Sequence, residues 1–235
     1  MVKNLITSLI KTCTIKPRIK SRIMPVSNFT DTFRNWPNSE IDLKLLRLKC
    51  ISLLALVLML RPSDIAPNAV AVDEDGVVDN FVFSRNQVVF NDIGSMSITI
   101  HGNKNDTKRH GFVVDVQPAA EENVCPVRAL KVYIQRTSAL VDSDGPVFIS
   151  LRKPYGALSS SAIRTILNES INQVGLDAEK FTAKCFRPTG ATRAVEKGFD
   201  PNTVQKIGRW KTTSVFFEHY VHSRTPSDFS NKLLL

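Results

Sequence analysis

Apolar residues occupy nearly every face of a predicted helix in SEIDLKLLRLKCISLLALVLML, residues 39–60. Ser39 and Asp42 have side chains that accept hydrogen bonds from the backbone at a helix N-terminus. A helix that is apolar all round is buried, so we predict a core helix that fixes the position of Arg61 at its end. Its most apolar run, residues 51–60, is about half as long as a membrane-spanning helix, and we expect no membrane partner.

Four short runs rich in Val, Ile and Phe predict a small antiparallel sheet. They cover residues 77–83, 87–90, 95–100 and 111–116. The last two runs flank HGNKNDTKRH, a polar and cationic segment in which Gly102 and the Asn-Asp pair suit a turn. We therefore predict a β-hairpin with a cationic loop.

The rest of the chain carries helical patterns. VRALKVYIQRTSAL, residues 127–140, has apolar and basic positions at helical spacing, and a second helix begins after Ser159 and closes at Gly175. Further helices are predicted over residues 189–197, 201–207 and 212–220. These patterns predict a mainly α fold with a small antiparallel β-sheet (α+β).

The composition favours a nucleic-acid partner. The 235 residues are 43% apolar, enough for a buried core, and carry a formal net charge of +9. A basic balance of this size favours a polyanion. The four cysteines, Cys13, Cys50, Cys125 and Cys185, stand far apart and suggest neither a disulfide framework nor a zinc site. We expect an intracellular, reducing compartment and no metal or other cofactor.

Residues 1–37 are a cationic arm with no acidic residue before Asp31. Such arms often contact phosphates irrespective of base sequence, and a solvated tail is the equal alternative. We divide the chain into this arm and a folded domain, residues 38–235. The arm's candidate DNA contacts are Lys16, Arg18, Lys20 and Arg22.

The segment from residue 184 to 222 contains side chains suited to cutting DNA with a tyrosine nucleophile. Lys184 and Arg187 stand three residues apart, which would place both on one helix face, where they could grip one phosphate. Trp210 and Tyr220 bracket a short helical segment. Arginine offers phosphate oxygens a planar fork of donors, and tyrosine can form a covalent phosphoester. The pattern indicates phosphoryl transfer without a metal.

This segment, KCFRPTGATRAVEKGFDPNTVQKIGRWKTTSVFFEHYVH, resembles the C-terminal motif of the tyrosine recombinases, the phage-integrase family. Arg61, with Asp64 three residues on, is similar to the family's first arginine motif. The predicted hairpin is similar to the β-hairpin that carries a catalytic lysine in this family. Lys104 is the best match to that lysine and Lys108 the second. Three motifs in the family's order support the resemblance. CPVRAL and the helix after it are similar to recombinases of eukaryotic mobile elements.

The resemblance implies the tyrosine recombinase catalytic-domain fold and a set of roles. Arg61 and Arg187 would neutralise the phosphate, and Lys184 or Trp210 would add a hydrogen bond. Lys184 would also be the base, and Lys104 would protonate the leaving 5′ oxygen. A tyrosine joined to the 3′ phosphate would let strands be cut and rejoined, as in site-specific recombination or integration of a mobile element. Tyr220 is the nucleophile in this scheme.

The resemblance also implies partners. We expect double-stranded DNA, a homo-tetramer on DNA and a monomer without it, in the nucleus of a eukaryote or otherwise in the cytoplasm. SDFSNKLLL, from Ser227 onward, would dock on a neighbour or pack as a tail. Residues 1–37 are too short for the family's separate clamp domain, and would be at most its last helix and a linker.

Two assignments stay open in the motif. Lys184 stands where the family more often has His, which leaves the base uncertain. Gly208 is followed by Arg209 and then Trp210, so either could fill the family's His or Trp position, and Trp210 fits the Cre-like spacing better.

Two further pairs have supporting roles in this scheme. Asp64 would hold the Arg61 guanidinium by an ion pair, with an ordinary surface pair as the alternative. Lys108 and Arg109 would contact DNA from the hairpin loop.

Three other functions are compatible with parts of the sequence. A non-catalytic DNA-binding remnant of a recombinase would explain a missing clamp domain, and a type IB topoisomerase would use the same chemistry. A metal enzyme built on His219 and His222 lacks a convincing third ligand.

Overall fold

The structure, a computed structural model, describes residues 22–72, 78–81, 83–101 and 111–222. Six of the sequence-predicted functional residues lie outside these ranges: Lys16, Arg18, Lys20, Lys104, Lys108 and Arg109. The proposed C-terminal docking segment from Ser227 also lies outside them.

The described chain is mainly helical with short antiparallel strands. Its helices are α1 (Val26–Arg34), α2 (Leu43–Val57), α3 (Pro62–Ile65), α4 (Pro126–Arg136), α5 (Ser160–Gln173), α6 (Phe186–Glu196), α7 (Pro201–Ile207) and α8 (Thr213–His219). Its strands are β1 (Asn68–Val72), β2 (Val78–Phe81), β3 (Val88–Phe90), β4 (Met96–Ile100) and β5 (Phe112–Val116). The predicted α+β fold class is confirmed.

Helix α2 is the central element of the core. It packs against α4, α5 and α6, and ten of its fifteen residues are buried, as its all-round apolar pattern predicts. Asp42 caps it by accepting hydrogen bonds from the backbone N–H groups of Lys44 and Leu45, at 2.8 and 2.9 Å. The helix therefore begins four residues after the first candidate cap, Ser39.

Helix α1 lies within the segment predicted to be a basic arm, and it packs into the same core as α2. Phe29 and Phe33 are fully buried, and the rings of Phe29 and Phe186 meet edge to face with their centroids 5.4 Å apart. The backbone N–H of Met24 donates to Thr189 Oγ1 on α6 at 3.0 Å. Residues 24–34 are thus packed structure, while Arg22 is exposed.

Lys49 joins α2 to the end of α1 from a fully buried position. Its ammonium donates to the carbonyl oxygens of Phe33 and Trp36, at 3.3 and 2.5 Å. Burial lowers the pKa of Lys49 to about 8, because the charged form loses its hydration. Two carbonyls at the C-terminal end of α1, one in its last turn and one just beyond it, therefore have a donor in place of water.

The predicted sheet is correct for three of its four runs. Strands β3, β4 and β5 form an antiparallel sheet, and Ile100 pairs with Phe112 at the base of the predicted hairpin. The run at residues 77–83 was placed in this sheet wrongly: its strand β2 pairs with β1 in a separate two-stranded ribbon. No strand was predicted for β1, NAVAV, which contains two alanines, residues of low β propensity.

The helix predicted to start at residue 189 begins three residues earlier. Pro188 falls in the first turn of α6, where its missing N–H has no intrahelical partner to lose. The helix ends at Glu196, one residue before the predicted end at residue 197, and Gly198 follows it with φ +83°. Helices α5, α7 and α8 begin after Ser159, Asp200 and Thr212, each of which accepts a backbone hydrogen bond as an N-cap.

Within the described ranges, no helix combines the length and the apolar character that crossing a membrane requires.

Helices α2 and α6 cross closely at Gly190. A Cβ added there would stand 2.1 Å from the carbonyl oxygen of Leu56, which is backbone and cannot rotate away. We expect Gly190→Ala to lower the free energy of unfolding by about 1–3 kcal/mol, because the helices must separate. Urea denaturation measures the change.

Gly156→Ala is the matched control, since a Cβ at Gly156 meets nothing within 4 Å. Its unfolding free energy should stay within about 0.5 kcal/mol of wild type. Equal stability of the two variants would contradict the close crossing.

Candidate active site

Arg187 lies on the first turn of α6 and joins three segments of the chain. Its Nη1 donates to the carbonyl oxygen of Met59 and its Nη2 to that of Gly208. The guanidinium carbon lies 4.2 Å from the centroid of the Trp210 ring, in the range of a cation–π contact. Arg187 is 5% exposed, so its position is fixed along two edges and one face.

The backbone is strained on both sides of this guanidinium. Met59, which supplies one carbonyl, has φ +52°, and Arg209, which follows the other carbonyl, has φ +58°. Residues other than glycine rarely adopt this left-handed backbone conformation, and each one that does lowers stability by about 1–3 kcal/mol. The two turns therefore depend on the surrounding structure, including the bonds that Arg187 makes to them.

Trp210 lies between the arginine and the tyrosine of the predicted motif. Its ring centroid is 4.9 Å from that of Phe216 and 4.8 Å from that of Tyr220. A Cβ at Gly208 would stand 1.8 Å from the indole, so only glycine admits the ring in this place. Trp210 Nε1 is buried and, like Arg187 Nε, has no hydrogen-bond partner within the described structure.

Asp64 is the carboxylate of the site, and its partner differs from the predicted one. Its Oδ2 forms an ion pair with Arg209 Nη2 at 2.6 Å and accepts the backbone N–H of Arg61 at 2.8 Å. The predicted ion pair between Asp64 and the Arg61 guanidinium is therefore wrong. Pro62 starts α3 and holds Arg61 in extended geometry, φ −85° and ψ 155°, and in this arrangement it is the Arg61 backbone that contacts the carboxylate.

The outcome for Arg209 and Trp210 follows from these contacts. Arg209 is committed to Asp64 and to the carbonyl oxygen of Ile207, at 3.0 Å. Trp210, in contrast, contacts both Arg187 and Tyr220 and retains an unused donor. The structure thus favours Trp210 over Arg209 for the position that the sequence left open.

Tyr220 stands directly after α8 and is half-buried. Its backbone N–H donates to Phe216 at 3.0 Å, which closes the helix, and its ring centroid lies 5.4 Å from the Arg187 guanidinium carbon. Arg187, Trp210 and Tyr220 are therefore in mutual contact although they span 34 residues of sequence, from 187 to 220.

Positive charge exceeds negative charge at this site. Burial and the nearby charges of Arg61 and Arg209 lower the pKa of Arg187, while Asp64 and Tyr220 oppose the shift. Three guanidiniums thus face one carboxylate, leaving two positive charges uncompensated among these four groups. An anion bound between Arg61 and Arg187 would relieve the repulsion.

Lys184 is not placed as the sequence predicted. It lies in a 3₁₀ turn, Ala183–Cys185, that precedes α6, and it is exposed whereas Arg187 is buried. The prediction that both project from one helix face is wrong, because the helix begins only at Phe186. The charges that shift the pKa of Arg187 come from Arg61, Arg209, Asp64 and Tyr220, and Lys184 is not among them.

Sequence reasoning missed the backbone partners of this site and the role of Thr192. The Thr192 hydroxyl donates to the carbonyl oxygen of Tyr220 at 3.1 Å and accepts the N–H of His222 at 3.0 Å. Carbonyl partners leave no signal in a sequence, since every residue has one. The described residues contain no group of three His, Cys, Asp or Glu side chains that could hold a metal ion.

Several known proteins resemble this chain in sequence or in fold. An integrase/recombinase xerD homolog from Selenomonas ruminantium is 24% identical over 141 residues, which are 55% of this chain and 40% of that protein. The crystal structure of XerA recombinase superposes with a TM-score of 0.59 at 16% identity, covering 92% of this chain and 65% of XerA.

Two further solved structures share the fold. The XerH site-specific recombinase bound to palindromic difH substrate gives a TM-score of 0.62 at 16% identity, over 93% of this chain and 54% of XerH. A lambda integrase (75-356) dimer bound to a COC′ core site gives a TM-score of 0.52 at 14% identity, over 89% of this chain and 62% of the lambda integrase chain. This chain therefore spans less than two thirds of each of these four relatives.

The fold is thus that of tyrosine recombinase catalytic domains. The family model described as the phage integrase family matches residues 107–226, slightly more than half of the 235 residues. It covers Arg187, Trp210 and Tyr220, and the resemblance found in the sequence is confirmed. The chain belongs to the phage integrase family.

Proposed function

We propose that this protein cuts and rejoins DNA strands through a covalent bond between Tyr220 and a 3′ phosphate, in site-specific recombination of a mobile element. The observation that carries the proposal is the contact of a half-buried tyrosine with a buried arginine, 5.4 Å from ring centroid to guanidinium carbon. The surrounding excess of positive charge suits a phosphodiester.

The chemistry follows from these groups. The Tyr220 oxygen loses its proton and attacks phosphorus, the bond to the 5′ oxygen breaks, and that oxygen takes up a proton. Negative charge grows on the non-bridging oxygens, where Arg61 and Arg187 neutralise it. Trp210 Nε1 supplies a hydrogen bond once a phosphate lies within reach. Reversal by another 5′ hydroxyl reseals or exchanges strands without ATP.

The proton transfers need an acid and a base. A phenol with its ordinary pKa near 10 is a weak nucleophile, so attack requires a group that takes up its proton. We keep Lys104 as the acid for the 5′ oxygen and Lys108 as the second candidate. Lys184 stays the candidate base from its motif position alone, since its exposed location adds no support.

Double-stranded DNA is the partner that we propose, inside the cell and in the nucleus of a eukaryotic host. The candidate contacts Lys16, Arg18, Lys20, Lys108 and Arg109 rest on their charge, and Arg22 is exposed. We further propose a tetramer on DNA and a monomer without it.

A Tyr220-dependent adduct is the first expected result. Wild-type protein incubated with supercoiled plasmid and nicked duplexes should remain attached to DNA after denaturation, whereas Tyr220→Phe should give no adduct because it lacks the attacking oxygen. Tyr155→Phe is the matched control and should retain the adduct, since Tyr155 lies outside the cluster of Arg187, Trp210 and Tyr220.

Two outcomes would favour the alternatives. DNA binding without any adduct would identify a non-catalytic remnant of a recombinase. An adduct accompanied by plasmid relaxation, with no exchange of strands between molecules, would identify a type IB topoisomerase-like activity.

Lys104→Ala should slow cleavage of ordinary DNA by about 10²- to 10⁴-fold if Lys104 is the general acid. Sulfur in place of the 5′ bridging oxygen should restore the rate, because a thiol with a pKa of about 8.5 leaves without a proton. Single-turnover cleavage at the site mapped from the adduct measures both rates. Lys108→Ala is the control, and a sulfur-rescued defect in Lys108→Ala alone would assign the acid to Lys108.

The tetramer proposal has support from an apolar groove of about 620 Å³ between α1, α2, β5, α6 and α7. Leu56, Val116 and Phe199 are among its lining residues, and the sequence from Ser227 ends in three leucines. Size exclusion of the DNA complex should give a tetramer, and deletion of residues 227–235 should reduce it to smaller species. A persistent monomer on DNA would contradict docking by this segment.

A further inference from the structure

Thr192 makes two hydrogen bonds that fix the backbone on both sides of Val221. Its hydroxyl donates to the carbonyl oxygen of Tyr220 at 3.1 Å and accepts the N–H of His222 at 3.0 Å. Thr192 is 1% exposed, and Val221 packs in the apolar cluster that includes Trp210. One buried side chain therefore uses its donor and its acceptor on the segment that carries the tyrosine.

Helix α8 does not fix this segment by itself. It has seven residues, too few to be stable without tertiary contacts. Phe216 is fully buried, but its neighbours Val215 and Phe217 are 41% and 42% exposed. A helix held mainly by one buried side chain can tilt about that contact, so the chain beyond it needs a second attachment.

Thr192 and Arg187 lie on the same helix. They are five residues apart on α6, a rise of about 7.5 Å along a helix axis. The helix thus presents the guanidinium that faces the phosphate site and the hydroxyl that holds the Tyr220 backbone. A change in either contact alters the distance between nucleophile and phosphate, to which reaction rates are steeply sensitive.

We propose that Thr192 is a positioning residue, which holds the Tyr220 main chain at a fixed distance from Arg187 so that the phenol oxygen is aligned for attack. The inference rests on the proposed function of Tyr220. In this role Thr192 acts through its two hydrogen bonds to the backbone of the Tyr220 segment.

Thr192→Val tests this role, because it keeps the shape of the side chain and removes both hydrogen bonds. We expect single-turnover cleavage to slow about 10- to 100-fold, as for a misplacement of about 1 Å, with DNA affinity unchanged. Thr192→Ser keeps the hydroxyl and should restore the rate. Thr192→Ala is a second hydroxyl-free variant for use if Thr192→Val does not fold.

Thr189→Val is the matched control. Thr189 lies on the same helix, is fully buried, and accepts one hydrogen bond, from the backbone N–H of Met24. Loss of this hydrogen bond in Thr189→Val should lower the thermal stability of the protein, as the Thr192 variants do, but should leave the cleavage rate unchanged. A substrate with sulfur at the 5′ bridging position should not rescue Thr192→Val, because alignment of the nucleophile precedes departure of the leaving group.

A second readout needs no catalysis. The chain has two tryptophans, so a Trp36→Phe background leaves Trp210 as the sole indole emitter, with the Tyr220 ring packed 4.8 Å from it. Loosening of the Tyr220 segment should raise acrylamide quenching of Trp210 in Thr192→Val but not in Thr192→Ser or Thr189→Val.

The inference is overturned by unchanged cleavage and quenching in Thr192→Val, by an equal rate loss in Thr189→Val, or by failure of Thr192→Ser to restore the rate. Rescue by the sulfur substrate would also overturn it. A wild-type protein that forms no adduct would contradict the proposed function instead, and the quenching series would still test whether the hydroxyl holds Tyr220.

Discussion

The bonds from Arg187 to the carbonyl oxygens of Met59 and Gly208 are the constraint on which the site depends. One side chain connects the turn after α2, the first turn of α6 and the turn after α7. One of these carbonyls belongs to Met59 and the other precedes Arg209, and both residues have positive φ. The same hydrogen bonds therefore hold two strained turns and fix the position of the Arg187 charge. Trp210 then packs on the guanidinium face, and Tyr220 packs on Trp210.

The electrostatics of the site follow from the same placement. A guanidinium buried beside two others is costly, and Asp64, the carboxylate among these four groups, is already bound to Arg209. Burial in the two apolar clusters must offset this cost. A site built in this way has its donors in position before an anion arrives, so little reorganisation is needed when charge develops on a phosphate.

The sequence predicted those features that depend on local patterns. The buried helix α2, the hairpin of β4 and β5, and the caps Asp42 and Ser159 each follow from periodicity or from one residue's hydrogen bonding. The contact between Arg187, Trp210 and Tyr220 agrees with a motif whose residues share one site.

Contacts between residues that are distant in sequence could not be predicted from local patterns. Asp64 could pair with either of two arginines, and it forms its ion pair with Arg209, which lies 145 residues away in sequence. Lys184 was predicted to lie on a helix, but that helix begins two residues later. Strand β2 pairs with β1, whose sequence has a weak β propensity. The double use of the Thr192 hydroxyl depends on segments 28 and 30 residues away, which only the fold brings together.

Thr189 and Thr192 together place the two ends of the described chain near each other. Met24 is bound to the first and His222 to the second, and residues three apart on a helix are neighbours about 5–6 Å apart between their Cβ atoms. The chain therefore enters and leaves this core beside one turn of α6. A connection of a few residues would span the two ends, so the topology of the core is compatible with circular permutation, and segments attached at either end would start from the same face of the molecule.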